Sequence, residues 1–114
     1  MTTIYGIKNC DTMKKAFKWL DQHDIDYQFH DFKKAGLEEK QLRAWVKQVG
    51  WESLVNRRGT TWRKLDEAVK ANIDEAGAVR VMLDNPSIVK RPVLELDGTL
   101  YVGFDALEYA RIFG

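Results

Sequence analysis

The stretch "VLELDGTLYVGF" constrains the fold more than any other short segment of this sequence. Two apolar runs rich in β-branched and aromatic residues flank Asp97-Gly98, a pair that supplies the positive φ angles of a tight turn. A β-hairpin over residues 93–97 and 99–103 is therefore expected. Asp105, with Glu108 three positions later, has the spacing of a helix N-cap and its reciprocal partner. A last helix follows, carrying Leu107, Ala110 and Arg111 ahead of Ile112-Phe113-Gly114.

A second pattern lies at the other end. Thr3-Ile4-Tyr5-Gly6-Ile7 has the character of a short buried strand, and a helical pattern follows almost at once. Met13, Ala16, Phe17 and Leu20 fall at i, i+3, i+4 and i+7, with Lys14, Lys15, Lys18 and Asp21 facing away. Residues 26–32 read as a second strand, and a strand-helix-strand unit of this length favours a right-handed parallel crossover. From Lys33 to Asn85 the character is helical. Leu42, Trp45, Val46 and Val49 form an apolar stripe ended by Gly50. "LVNRRGTTW" reads as an irregular connection with a basic elbow, 65–71 as a short helix, and Asp74 as the cap of a helix through Val79, Met82 and Leu83. Asn85-Pro86 ends that helix, because a residue before proline disfavours the α region. The order is β-α-β, a helical insertion over approximately 35–85, then β-β-α: a single α/β domain spanning 1–114.

Composition narrows the function classes. With 45% hydrophobic and 31% charged residues the chain falls among ordinary globular proteins. No apolar run approaches the roughly 18 residues of a membrane span, and the first residues lack a basic-then-apolar secretory signal, so a cytoplasmic location is expected. A formal charge of +1 gives no global attraction for nucleic acid. Nothing in the pattern calls for an obligate oligomer, and a monomer is expected.

The lone cysteine, Cys10, sits where the first strand gives way to the first helix. It cannot form an internal disulfide, so it is either a packed, inert side chain or a reactive thiol. In the first turn of the helix its sulfur would lie near unpaired N–H groups and the positive end of the macrodipole, which favour the thiolate nucleophile. Two basic pairs stand at element ends, Arg57-Arg58 before Gly59 and Lys90-Arg91 before Pro92. Each is either a surface charge or a partner for the thiol, and spacing alone does not choose. His23 and His30 are read as structural or solvated. One cysteine and two histidines at these spacings match no zinc pattern, and neither histidine is placed to serve Cys10 as a protease base. Trp19, Trp45, Trp51 and Trp62 are read as packing residues.

Lys8-Asn9-Cys10-Asp11-Thr12, "NRRGTTWRKL", "KRPVLE" and "VGFDA", in that order, resemble the glutaredoxin-linked arsenate reductase and Spx superfamily, in particular its YffB-type branch. The resemblance runs over essentially the whole chain. It implies a thioredoxin-like (glutaredoxin-like) fold with a helical insertion, in agreement with the element order. It also implies that Arg91-Pro92 forms a cis-proline loop facing the helix N-terminus. An active-site arginine falls in "LVNRRG" and matches Arg58, which precedes Gly59, with Arg57 as the alternative. In relatives that reduce arsenate a further arginine lies in the final strand region, where this chain has Gly103.

The resulting expectation is a monothiol reductase. Cys10 attacks a disulfide or related oxidised centre, Arg58, Arg91 and Asn9 (or Arg57) stabilise the anion, and Met13 stands where a dithiol motif carries its second cysteine. Resolution must then come from outside. Glutathione is the expected co-substrate, with small or protein disulfides, or an oxyanion, as substrate and no metal or bound prosthetic group. Two alternatives stand beside it: an Spx-like regulator that binds RNA polymerase, whose Cys-x-x-Cys switch Met13 interrupts, and an arsenate reductase.

Overall fold

A computed structural model describes residues 2–114. In chain order the elements are β1 (Thr2–Gly6), α1 (Asp11–Gln22), β2 (Gln28–Asp31), α2 (Phe32–Ala35), α3 (Glu39–Val49), α4 (Trp51–Leu54), α5 (Thr60–Arg63), α6 (Glu67–Ala71), α7 (Glu75–Asp84), a 3-10 turn (Pro86–Ile88), β3 (Val93–Leu96), β4 (Thr99–Val102) and α8 (Ala106–Phe113). They fall into two compact units, one of residues 2–31 with Arg91–Gly114 and one of Phe32–Lys90.

The first unit carries a four-stranded mixed sheet in the order β2-β1-β3-β4. β1 pairs parallel with β2 and antiparallel with β3, and β3 pairs antiparallel with β4. This is the thioredoxin-like α/β arrangement that the resemblance implies and with which the element order agrees. Asp97 and Gly98 turn the hairpin with φ of 50° and 84°, the left-handed pair that a two-residue turn requires. Ile4 and Leu94 from the sheet pack with Met13, Ala16 and Leu20 of α1 and Tyr109 of α8, all fully buried. Asp105 caps α8, its carboxylate accepting from the Leu107 N–H at 2.9 Å.

Several boundaries differ from the sequence reading. The first strand starts at Thr2 and ends at Gly6, leaving Ile7 outside the ladder. The second is shorter than 26–32. Asp24 leaves α1 with a φ of 56°, and the ladder opens only where Gln28 meets Thr3. Phe32 already begins α2.

In the helical unit, α3 buries Leu42, Trp45 and Val46, and Gly50 ends it at φ 84° with its N–H on the Val46 carbonyl at 2.8 Å. α7 buries Ala78, Val79, Val81 and Met82, and the Asp74 carboxylate accepts from the Gly77 N–H at 2.8 Å. The short helix read over 65–71 begins at Glu67, because Asp66 is its cap and accepts from the Ala68 N–H at 2.9 Å. "LVNRRGTTW" is not wholly irregular. Thr60–Arg63 forms the single turn α5, tied by a 3.0 Å hydrogen bond between the Thr61 and Ser87 hydroxyls to the 3-10 turn. A short antiparallel bridge pairs Val55 with Val89, extended by the Asn56 N–H on the Ile88 carbonyl (2.8 Å) and the Lys90 N–H on the Leu54 carbonyl (2.7 Å).

Candidate functional site: a capping thiol and a basic cavity

Cys10 is the N-cap of α1, one residue outside the first turn in which the sequence reading put it. Its backbone is extended (φ −120°, ψ 133°), and its carbonyl accepts the first intrahelical bond, from the Lys14 N–H at 2.9 Å. The sulfur therefore takes the place that a serine or aspartate oxygen holds at an ordinary N-cap, facing unpaired N–H groups. The side chain is half-buried against the core cluster. Burial is the largest single influence on the thiol and pushes its pKa up. The Met13 N–H, the Arg91 side chain, the Thr12 N–H and the Arg91 charge together outweigh it, and the thiol lies below its usual value of 9.0. The neutral thiol makes no formal capping bond. The hydrogen bonding from these N–H groups belongs to the thiolate, which is the form they favour.

Arg91 and Pro92 approach this thiol from the segment that leads into β3. Arg91 is half-buried, Pro92 is buried, and the peptide between them is cis. The Pro92 carbonyl accepts from the Gly103 N–H at 2.8 Å, which fixes the loop to the end of β4. Gly103 itself has a φ of 87°. Asn9 is exposed in the turn just before Cys10. Met13 is fully buried, so the position of a resolving cysteine is occupied by a core side chain.

Arg57 and Arg58 lie in the other unit, around an open cavity of about 450 Å³ that Glu52, Val55, Asn56 and Lys90 also line. The Arg57 guanidinium carbon is 5.3 Å from the Trp51 ring centroid and 5.6 Å from that of Trp62, within cation–π range of both. Arg58 is held through its main chain, its N–H donating to the Asn56 Oδ1 at 3.0 Å. The sequence reading weighed Lys90 only as half of a basic pair, either a surface charge or a partner for the thiol; it did not single out Glu52, and it treated Trp51 and Trp62 as packing residues alone. His23 stacks on Trp19 with centroids 3.9 Å apart, and His30 packs on Tyr5 at 5.1 Å.

A thioredoxin-like sheet with a single cysteine capping the first helix, an arginine beside it and a buried methionine three positions on defines a one-thiol member of the thioredoxin-like class. The model of the ArsC family matches residues 5–112, and the chain belongs to that family. A Haemophilus influenzae protein described as uncharacterized is 48% identical over 99% of each chain. The global transcriptional regulator Spx of Streptococcus pyogenes is 26% identical over 92% of this chain and 79% of its own. Among solved structures, a YffB protein superposes with a TM-score of 0.96 at 53% identity over the full length of both chains. An arsenate reductase (ArsC) related protein from Brucella melitensis superposes with a TM-score of 0.81 at 59% identity, over 98% of this chain and 93% of its own. No helix among the described residues is long and apolar enough to cross a membrane.

Proposed function

We propose that the protein is a glutathione-dependent monothiol reductase. The observation that carries this reading is Cys10 at the α1 N-cap with its thiol favoured as thiolate, while the site of a second cysteine is taken by buried Met13. The thiolate attacks one sulfur of a disulfide R–S–S–R, forming Cys10–S–S–R and releasing R–S⁻. A glutathione thiolate then attacks the R-side sulfur, giving R–S–S–G and returning Cys10 as thiolate. Arg91 holds negative charge on the Cys10 sulfur before attack and after release. Arg58, with Arg57 as the alternative, serves substrate anions, and Asn9 supplies a further donor. No metal or prosthetic group takes part in this cycle. Arsenate ranks behind disulfides, because Gly103 stands where arsenate-reducing relatives are expected to carry an arginine.

The test is incubation with oxidised glutathione followed by intact-mass measurement. A single glutathione adduct on the wild-type chain, absent from Cys10→Ser and reversed by reduced glutathione, is the expected result. No adduct, or one that survives Cys10→Ser, overturns the reading. The similarity to Spx supports a second one, a regulator that binds RNA polymerase. Stable capture of polymerase subunits by both wild type and Cys10→Ser would favour it over the enzyme.

A further inference from the structure

β3 and β4 pair Val93 with Val102, and the next pair outward is Pro92 with Gly103. Opposite residues at a hydrogen-bonded position of an antiparallel ladder exchange two bonds, but proline has no N–H to give. The Gly103 N–H on the Pro92 carbonyl, at 2.8 Å, is therefore the single bond by which this pair holds the loop to the end of β4. Gly103 makes it with a φ of 87°, in the left-handed region that glycine enters freely and other residues only at a cost. A Cβ built on Gly103 meets nothing within 4 Å. A side chain there would act on the backbone alone, without a clash.

What hangs from that bond is the cation beside the thiol. Arg91 directly precedes Pro92, whose ring fixes its own φ, so a shift of the Pro92 carbonyl passes to Arg91 with little slack. The Arg91 side chain donates to the Cys10 thiolate and is the charged group that acts on it. Such a bond weakens steeply as its donor is turned away. We propose that Gly103 is a positioning residue for the Cys10 thiolate: its left-handed backbone presents the N–H that fixes the Pro92 carbonyl and thereby sets the place of the Arg91 guanidinium. The proposal rests on the thiolate reading of Cys10 given above, and not on which oxidised substrate or which external thiol the protein uses.

Alkylation of Cys10 by iodoacetamide, followed against pH, tests this in the wild type, Gly103→Asn and Gly103→Ala, each with and without Arg91→Ala. The left-handed conformation biases an alanine away from the held loop by about 5- to 30-fold, and an asparagine by less. The midpoint is expected to rise in the order glycine, asparagine, alanine, and to stop at or short of the midpoint of Arg91→Ala alone. In the Arg91→Ala background neither Gly103 variant is expected to move it, because the cation they misplace is gone. Urea unfolding of the same six proteins identifies a merely structural role, which would lower stability in both backgrounds and leave the pH profile in place. Should the alanine variant fail to fold, the asparagine variant decides by the same two criteria. The proposal is overturned if the Gly103 variants keep the wild-type midpoint, or if they raise it equally in the Arg91→Ala background. With the wild-type midpoint below pH 9.0, either result removes the role of Gly103 and leaves the thiolate reading intact. A wild-type midpoint at the ordinary value removes the thiolate reading, and the role of Gly103 with it.

Discussion

The most exacting packing test concerns the residue that replaces the second thiol. Met13 is fully buried, and a Cβ built on Gly6 of β1 would meet its Sδ at 2.5 Å and its Cε at 2.7 Å, closer than such atoms approach. The Met13 tail therefore fills the space above Gly6, enclosed with Ile4, Ala16, Leu20 and Leu94. Gly6→Ala alone overpacks this point, and the displaced thioether has only other core side chains to move against; a loss of about 1–3 kcal/mol is expected. Met13→Ala leaves a cavity in the same place and is expected to lose about 2–5 kcal/mol. In the double variant the new methyl enters the space the thioether has vacated. Its loss should fall short of the two single losses together by about 1–3 kcal/mol, the coupling of residues that share one space. Urea unfolding of the four proteins, followed by fluorescence and by far-UV circular dichroism with a common slope, measures the cycle. Additivity within about 0.5 kcal/mol, the behaviour of independent sites, would refute the contact.

Further outcomes follow from the same geometry. Alkylation of Cys10 should accelerate with a midpoint below pH 9.0, and Arg91→Ala should move that midpoint up; a midpoint at the ordinary value in the wild type refutes the stabilised thiolate. The linked stability has a defined sign. Because the folded thiol titrates below the unfolded one, its contribution is present above the unfolded pKa and fades as pH falls through the folded one. The Tyr109 hydroxyl is buried without a hydrogen-bond partner among the described residues, so Tyr109→Phe should stabilise by about 1–3 kcal/mol in thermal unfolding; destabilisation would reveal a partner for the hydroxyl. Burial, then the Glu108 charge, also pushes the Tyr109 pKa far above its usual 10.0. The neutral form is thus the folded form, stability is lost as pH rises beyond 10, and Tyr109→Phe should lessen that alkaline loss. Met13→Cys should yield an internal disulfide with Cys10 in place of a lasting glutathione adduct, read by mass and thiol count; an adduct that persists on this variant counts against Met13 as the reason for external resolution.

The parts of this fold that were legible in the sequence are those whose chemistry is local. Asp97-Gly98 specifies its turn through backbone conformation alone, Asp105, Asp74 and Gly50 mark helix ends by capping, and the Met13–Ala16–Leu20 spacing selects the buried face of α1. Thr60–Arg63 escaped because one turn of "TTWR" has no period to detect. The start of β2 was misplaced because its ladder is set by where β1 begins, a non-local fact. The same limit applies to the basic cavity. Arg57 stands between indoles six residues before it and five after it, a juxtaposition that neither helical nor strand periodicity encodes. Lys90 meets Arg58 through the Val55–Val89 bridge, which joins segments over thirty residues apart.

Gly103 and Met13 bear on the same question from two sides. Nothing lies within 4 Å of a Cβ built on Gly103, so space would admit an arginine there, but its φ of 87° would not. A side chain in the left-handed region costs about 1–2 kcal/mol, and the Gly103 N–H is committed to the Pro92 carbonyl, which holds the loop in that conformation. The backbone that fixes the Arg91-Pro92 loop is therefore the same backbone that disfavours a further arginine at the end of β4. Arg91 is then the cation that acts on the Cys10 sulfur, enough to favour a thiolate but without a second guanidinium from β4 to share a tetrahedral oxyanion. A disulfide makes no such demand, since its exchange disperses a single negative charge along three sulfurs in line. With the position three residues beyond Cys10 taken by the buried side chain of Met13, the proposed reductase would hold only the attacking half of thiol exchange and take its second thiol from a diffusing molecule.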